Sequence, residues 1–257
     1  MAIDYQKEDK IAIFTINRPE ALNSIDVSTA RELHQAMVDF RDDEELWVGI
    51  ITGAGDRAFC TGADIKDMLP FLKENLAQQP WAMPATHMRG LELWKPLIAA
   101  INGMALGGGL EMALACDLRI ASGKARFGSP EVNLGLIPGW GATQRLPRMI
   151  PAAKAAELLL MGKLIDAQEA YRIGLVNTVV PPEKVVPTAR DWAEAICQAS
   201  PLAVRAAKQA MLRGSSLTLE DGLRLENALE AYVMSTEDFT EGTTAFLEKR
   251  KPDFKGK

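Results

Sequence analysis

Gly107-Gly108-Gly109 bares a run of backbone N–H groups just before Glu111, and a second carboxylate follows twenty residues later in Phe127-Gly128-Ser129-Pro130-Glu131. Amides at the start of an apolar helix make a site for developing negative charge, and two nearby carboxylates can orient water and move protons. The glycine-flanked loop Gly62-Ala63-Asp64 offers a second donor that could converge with the Gly108 N–H on one carbonyl oxygen. Such a hole stabilises an enolate or a tetrahedral oxyanion, and losing one donor typically costs about 3–4 kcal/mol of transition-state stabilisation. No Ser-His-Asp pattern accompanies these residues, so enolate chemistry with acid–base help is more economical than covalent catalysis. Taken singly, each residue has a plainer explanation. The glycines permit close packing of a helix on a strand, Glu111 answers the helix dipole, and Glu131 is a surface acid after a proline turn.

The surrounding pattern is that of an α/β protein. Ile11–Ile16, Val48–Thr52, Leu97–Ile101 and Asp117–Ala121 are apolar, β-branched runs that read as strands, and the N-terminus already alternates like one. Asp26 is an N-cap for a helix through Asp42, with Ala30, Leu33, Met37 and Phe40 as its buried stripe. A further helix is expected from Gly108 to about Ala115. Strands alternating with helices imply parallel pairing through crossovers. Residues 66–94 read as irregular, with Pro70, Pro80 and Pro84 among apolar side chains. From Gly141 onward strands nearly vanish, and 142–162, 166–173, 189–199, 201–213 and 219–235 read as helical. The expected division is a catalytic core over 1–200 and a helical region over 201–257.

Composition narrows the function. The 257 residues are 47% hydrophobic and 25% charged with a net charge of −5, an ordinary globular balance and a poor match to a nucleic-acid binder. Cys60, Cys116 and Cys197 are odd in number and form no CxxC pair, which argues against a disulfide framework or a zinc site and for a reducing cytoplasm. Cys60 lies in a glycine-flanked loop, but neither His34 nor His87 has an obvious link to it, so an apolar filler is the better account. No signal-peptide pattern opens the chain and no apolar run reaches membrane-spanning length.

Gly53-Ala54-Gly55-Asp56-Arg57-Ala58 matches the G-x-G-x-x-A dinucleotide fingerprint directly after a strand. Its context is wrong. The loop runs into Phe59-Cys60-Thr61-Gly62 rather than an amphipathic helix, and Leu72-Lys73-Glu74-Asn75 supplies no strand to carry an acid to a ribose. A tight glycine loop is the simpler reading.

The chain resembles the enoyl-CoA hydratase/isomerase (crotonase) superfamily. The resemblance rests on Asn17-Arg18-Pro19-Glu20-Ala21-Leu22-Asn23, on Ala58 to Ile65, on Ile98 to Gly103, and on the two glutamate motifs. Pro138-Gly139-Trp140-Gly141-Ala142-Thr143-Gln144-Arg145-Leu146 and Glu241 to Arg250 complete it. It implies a spiral of repeated ββα units with a C-terminal helical trimerisation region, and a homotrimer or a hexamer of paired trimers. It implies oxyanion-hole amides at Ala63 and Gly108. CoA would lie along Ala21, Leu22, Asp64 and Ile65, with Phe246 and Lys249 reaching it from a neighbouring subunit. Within the family, hydratases carry both glutamates and many isomerases manage with the equivalent of Glu131. The pair therefore implies an enoyl-CoA hydratase, with isomerase or C–C lyase as the alternatives. Glu111 would activate the water, Glu131 would supply the proton at C2, and the Gly139 amide would help place the water. The two acids are expected to share one proton near neutral pH, because two close buried carboxylates resist double ionisation. CoA is part of the thioester substrate, and no metal or separate cofactor is implied. Trp140 either shapes the acyl pocket or packs the core. The 66–94 segment is expected to line that pocket, and straight, branched, cyclic and aromatic acyl groups all remain open.

Overall fold

The computed structural model describes residues 1–79 and 81–257, so Pro80 lies outside the described residues. The strands are β1 (Ile3–Glu8), β2 (Ile11–Ile16), β3 (Val48–Gly53), β4 (Ala58–Cys60), β5 (Leu97–Ile101), β6 (Met104–Leu106), β7 (Leu118–Ser122), β8 (Arg126–Gly128), β9 (Leu164–Asp166) and β10 (Thr178–Val180). They form two sheets, ordered β1-β2-β3-β5-β7-β10 and β4-β6-β8-β9. Pairing is parallel except for β1 with β2 and β8 with β9. β3 and β5 are wholly buried, which is why they read as unbroken apolar runs rather than alternating ones.

The helices are α1 (Val27–Asp42), α2 (Met68–Asn75), α3 (Gly108–Leu114), α4 (Ala142–Met149), α5 (Ala152–Met161), α6 (Ala167–Arg172), α7 (Val185–Ile196), α8 (Pro201–Gly214), α9 (Leu219–Met234) and α10 (Glu237–Leu247). The chain steps from the large sheet to the small one and then into a helix, first as β3-β4-α2 and then as β5-β6-α3. β7-β8 repeats the step and leads through a 3-10 turn at Pro130–Leu134 to α4. These are the ββα units that the resemblance implied. Each delivers the end of a small-sheet strand to the same side of the molecule.

α1 begins as expected: the Asp26 carboxylate accepts the Thr29 N–H at 2.7 Å, and Ala30, Leu33, Met37 and Phe40 are buried. Three expectations need correction. Residues 66–94 are not irregular throughout, because α2 forms there with Pro70 in its first turn, where a missing N–H is tolerated. The helix read over 142–162 is two helices, broken at Ile150-Pro151, where Ile150 is extended and the following proline disfavours a return to the helical region. α10 was absent from the helical segments because Gly242, Thr243 and Thr244 weaken its propensity. The Thr236 hydroxyl caps it by accepting the Phe239 N–H at 3.2 Å.

Gly53–Ala58 runs from β3 into β4 and opens no helix, in keeping with a tight loop rather than a dinucleotide fingerprint. Among the described residues no helix is long and apolar enough to cross a membrane.

Candidate active site

Three parallel strand ends build the site. β6 is in register with β8, Leu106 opposite Gly128, so Gly107-Gly108 and Ser129-Pro130-Glu131 leave the sheet side by side. β4 pairs with β6 on the other flank, Cys60 opposite Ala105, and then turns through Thr61-Gly62-Ala63. A Cβ placed on Gly62 would stand 2.7 Å from the Gly108 amide nitrogen, which brings the Ala63 loop against the N-terminus of α3. Contact is closest at Gly109, where any side chain would collide with the Cys60 carbonyl. The glycine run thus serves close packing as well as bare amides.

The two candidate donors are available. Gly108 is the first residue of α3 and has no intrahelical acceptor for its N–H. On the other side, Ile25 donates to Gly62 O and Asp64 donates to Ile25 O, each at 2.8 Å. The Ala63 N–H between them has no backbone partner among the described residues.

Both residues line a cavity of about 1000 Å³ together with Glu111, Glu131, Gly139 and Trp140. Glu111 is 1% exposed. Its Oε1 accepts the backbone N–H groups of Trp140 and Ala142, each at 2.8 Å. The side chain therefore reaches across to the loop before α4 rather than capping its own helix. Burial, aided by the charge of nearby Glu131, raises its carboxyl to about 7 against the opposing pull of the Ala142 and Trp140 amides. Glu131 is half-buried, and the fully buried Ser129 hydroxyl donates to its Oε2 at 2.9 Å. A Cβ on Gly107 would lie 3.2 Å from Glu131 Oε1, so this carboxylate stands directly over the glycine run.

Arg145 on α4 holds the Glu111 loop in place. Its guanidinium donates to Trp140 O at 3.0 Å and to Met88 O at 2.5 Å, joining the loop before α4 to the 81–89 wall. Trp140 is 6% exposed and lies so close to Gly108 that a Cβ there would strike its ring. It both packs the core and faces the cavity. α2 and the 81–89 segment form a largely apolar wall of the cavity that also carries Lys73, Glu74 and Arg89.

The remaining expected positions surround this centre. Ile65 lines the cavity and is 62% exposed. Leu22 O accepts the Thr61 hydroxyl at 3.2 Å, beside the cavity wall, and buried Asn23 fixes the Ala21-Leu22 turn by donating to Ala58 O at 2.7 Å. The Asp64 side chain is committed to an ion pair with Arg18 at 3.2 Å. Phe246, on α10 and 83% exposed, and Lys249 do not line this cavity. Cys60 is fully buried and its thiol is pushed up to about 12 by burial, the state of an inert filler.

Ser129, Arg145 and the exposed apolar run Leu134, Leu136 and Ile137 were missed from the sequence. A signal existed for the last: five apolar or proline residues between Glu131 and Trp140 with no periodicity to bury them. Among the described residues no group of three His, Cys, Asp or Glu side chains is arranged to hold a metal ion.

The family model described as enoyl-CoA hydratase/isomerase matches residues 6–257. The chain is 43% identical to (E)-benzylidenesuccinyl-CoA hydratase of Thauera aromatica, with 100% of each chain covered. It is 44% identical to short-chain-enoyl-CoA hydratase of Clostridium acetobutylicum, covering 96% of this chain and 94% of that one. The crystal structure of an enoyl-CoA hydratase from Bacillus anthracis superposes with a TM-score of 0.94 at 40% identity, with 100% of both chains covered.

Proposed function

This chain belongs to the enoyl-CoA hydratase/isomerase family, and we propose that it catalyses the reversible addition of water to a 2-enoyl-CoA, giving a 3-hydroxyacyl-CoA. The observation that carries this reading is the placing of Glu111 and Glu131 in one cavity with the Ala63 and Gly108 amides. The thioester carbonyl oxygen takes the two N–H groups. Electron density moving from the C2–C3 double bond onto that oxygen is stabilised by the amides and by the positive end of α3. One water lies between the carboxylates. Glu111, with its carboxyl near 7, accepts a proton from it efficiently at neutral pH as the oxygen bonds to C3. That proton passes between the two carboxylates and Glu131 delivers one to C2, so both carboxylates end as they began, one water is consumed and no group is oxidised or reduced. The Gly139 amide, on the cavity wall, helps place that water. CoA enters only as part of the substrate.

On this reading CoA runs along the Ala21-Leu22 turn and the Asp64-Ile65 backbone. Phe246 and Lys249, too exposed to serve their own subunit, reach CoA in a neighbour. That arrangement requires a homotrimer or a hexamer of paired trimers, and the exposed apolar side chains of α9, such as Leu219 at 80%, suit burial between subunits. Unpaired cysteines suit a cytoplasmic enzyme.

A panel of 2-enoyl-CoA thioesters with products read by mass tests the reaction. Gain of one water supports hydration. An unchanged mass with a moved double bond assigns isomerisation, and cleavage of the acyl chain assigns lyase activity.

A further inference from the structure

The wall built by α2 and the 81–89 segment carries a cation that hydration does not use. Arg89 sits in a tight turn in which Thr86 and Arg89 exchange backbone hydrogen bonds of 2.9 and 3.0 Å. Its guanidinium carbon lies 4.4 Å from the centroid of the Trp81 ring, and both residues line the cavity. None of the ion pairs or side-chain hydrogen bonds among the described residues uses this guanidinium. The comparison with Arg213 is instructive: it stacks on Trp94 at 4.8 Å in the same way, but an ion pair with Glu92 at 2.7 Å closes it. Arg89 keeps the plate and lacks the anion. From α2, Lys73 and Glu74 line the same cavity, so the wall has two cations and one carboxylate.

The cavity also has room. At about 1000 Å³ it stands at the top of the roughly 300–1,000 Å³ range of pockets for drug-sized ligands, enough for a pantetheine arm and a substantial acyl group. A guanidinium presents paired donors that match the two oxygens of a carboxylate, and stacking on an indole shields one face from water and limits its rotamers.

We propose that the cavity selects 2-enoyl-CoA thioesters whose acyl group bears a second carboxylate away from the thioester, received by Arg89 on its Trp81 plate. This rests on the hydratase reading for the 2-enoyl group, but not for the carboxylate preference itself.

The test pairs ligands that differ only at the chain end: hexanoyl-CoA and adipyl-CoA for calorimetric binding, hex-2-enoyl-CoA and its terminal carboxylate analogue for turnover. Arg89 is exposed on the cavity wall, so solvent screens its pairing with a carboxylate. The wild-type protein should bind adipyl-CoA at least about threefold more tightly than hexanoyl-CoA. Arg89→Gln should weaken adipyl-CoA roughly 3- to 5-fold and leave hexanoyl-CoA unchanged within error. Arg89→Lys should recover part of the difference. Equal wild-type affinity for the two ligands would overturn the proposal. So would equal weakening of both by Arg89→Gln, or loss of the preference in Lys73→Gln with Arg89→Gln unaffected. The saturated pair reports binding whether or not water is added. Failure of the unsaturated pair to gain water therefore counts against hydration and leaves the carboxylate preference to stand or fall alone.

Discussion

The backbone N–H of Trp140 donates to Glu111 Oε1 at 2.8 Å, while the indole of the same residue closes over Gly108. One residue thereby fixes the distance between a candidate oxyanion donor and a candidate base. The two halves of the proposed chemistry cannot drift apart without moving a buried tryptophan.

If the carboxylates handle the protons of one water, Glu111→Gln and Glu131→Gln should each lower kcat for hydration by roughly 10²- to 10⁴-fold, the range for general acid–base catalysis, with little change in KM. Steady-state kinetics on a 2-enoyl-CoA checks this. Unaltered hydration in both variants would sink the mechanism.

Glu111 also makes stability depend on pH. Its folded carboxyl, at about 7, lies above the ordinary value of 4.5, so between these pH values the unfolded chain binds fewer protons than the folded one. This contribution is absent below pH 4.5, reduces stability as pH rises toward 7, and levels off above it. Glu111→Gln removes it. Urea unfolding across pH 4 to 8 should show the variant gaining about 3 kcal/mol over the wild type between the two ends. A difference that stays flat with pH would show that burial does not oppose ionisation here.

Arg145 is expected to be a positioning residue. Arg145→Gln leaves Trp140 O and Met88 O without their donor, which should cost about 2 kcal/mol of stability in urea unfolding. Loss of a nearby cation also disfavours the Glu111 carboxylate, so the acid limb of the kcat profile should move above its wild-type position near pH 7. Arg145→Lys should restore part of that shift. A purely structural arginine would change stability and leave the profile in place.

Gly109→Ala tests the packing of α3 on β4. The added methyl meets the Cys60 carbonyl, which is backbone and cannot step aside. A loss of about 3 kcal/mol or more is expected in chemical denaturation, against about 1 kcal/mol or less of helix propensity gained.

The large sheet was legible because its central strands are buried on both faces and write themselves as Val48–Thr52 and Leu97–Ile101. α1 was legible from its cap and stripe. α2 was not, since Pro70 falls in a helix that carries no side-chain N-cap. Within the site, Glu111 and Glu131 stood out because acids beside glycines are conspicuous. Which amides would hold Glu111 was hidden, because the Trp140 and Ala142 donors lie on a loop about thirty positions away and amide direction leaves no trace in residue type. Ser129 and Arg145 acquire meaning only once the carboxylate and carbonyl they serve have been located.

The site hangs from the ends of β4, β6 and β8, three neighbouring strands that each hand over one component. Such an arrangement is modular. On the proposed mechanism, exchanging the segment after β8 would change what reacts with the activated acyl group, while the segments after β4 and β6 would go on gripping the thioester. Swapping residues 129–141 between relatives would then rewrite the second reactant and leave the first untouched.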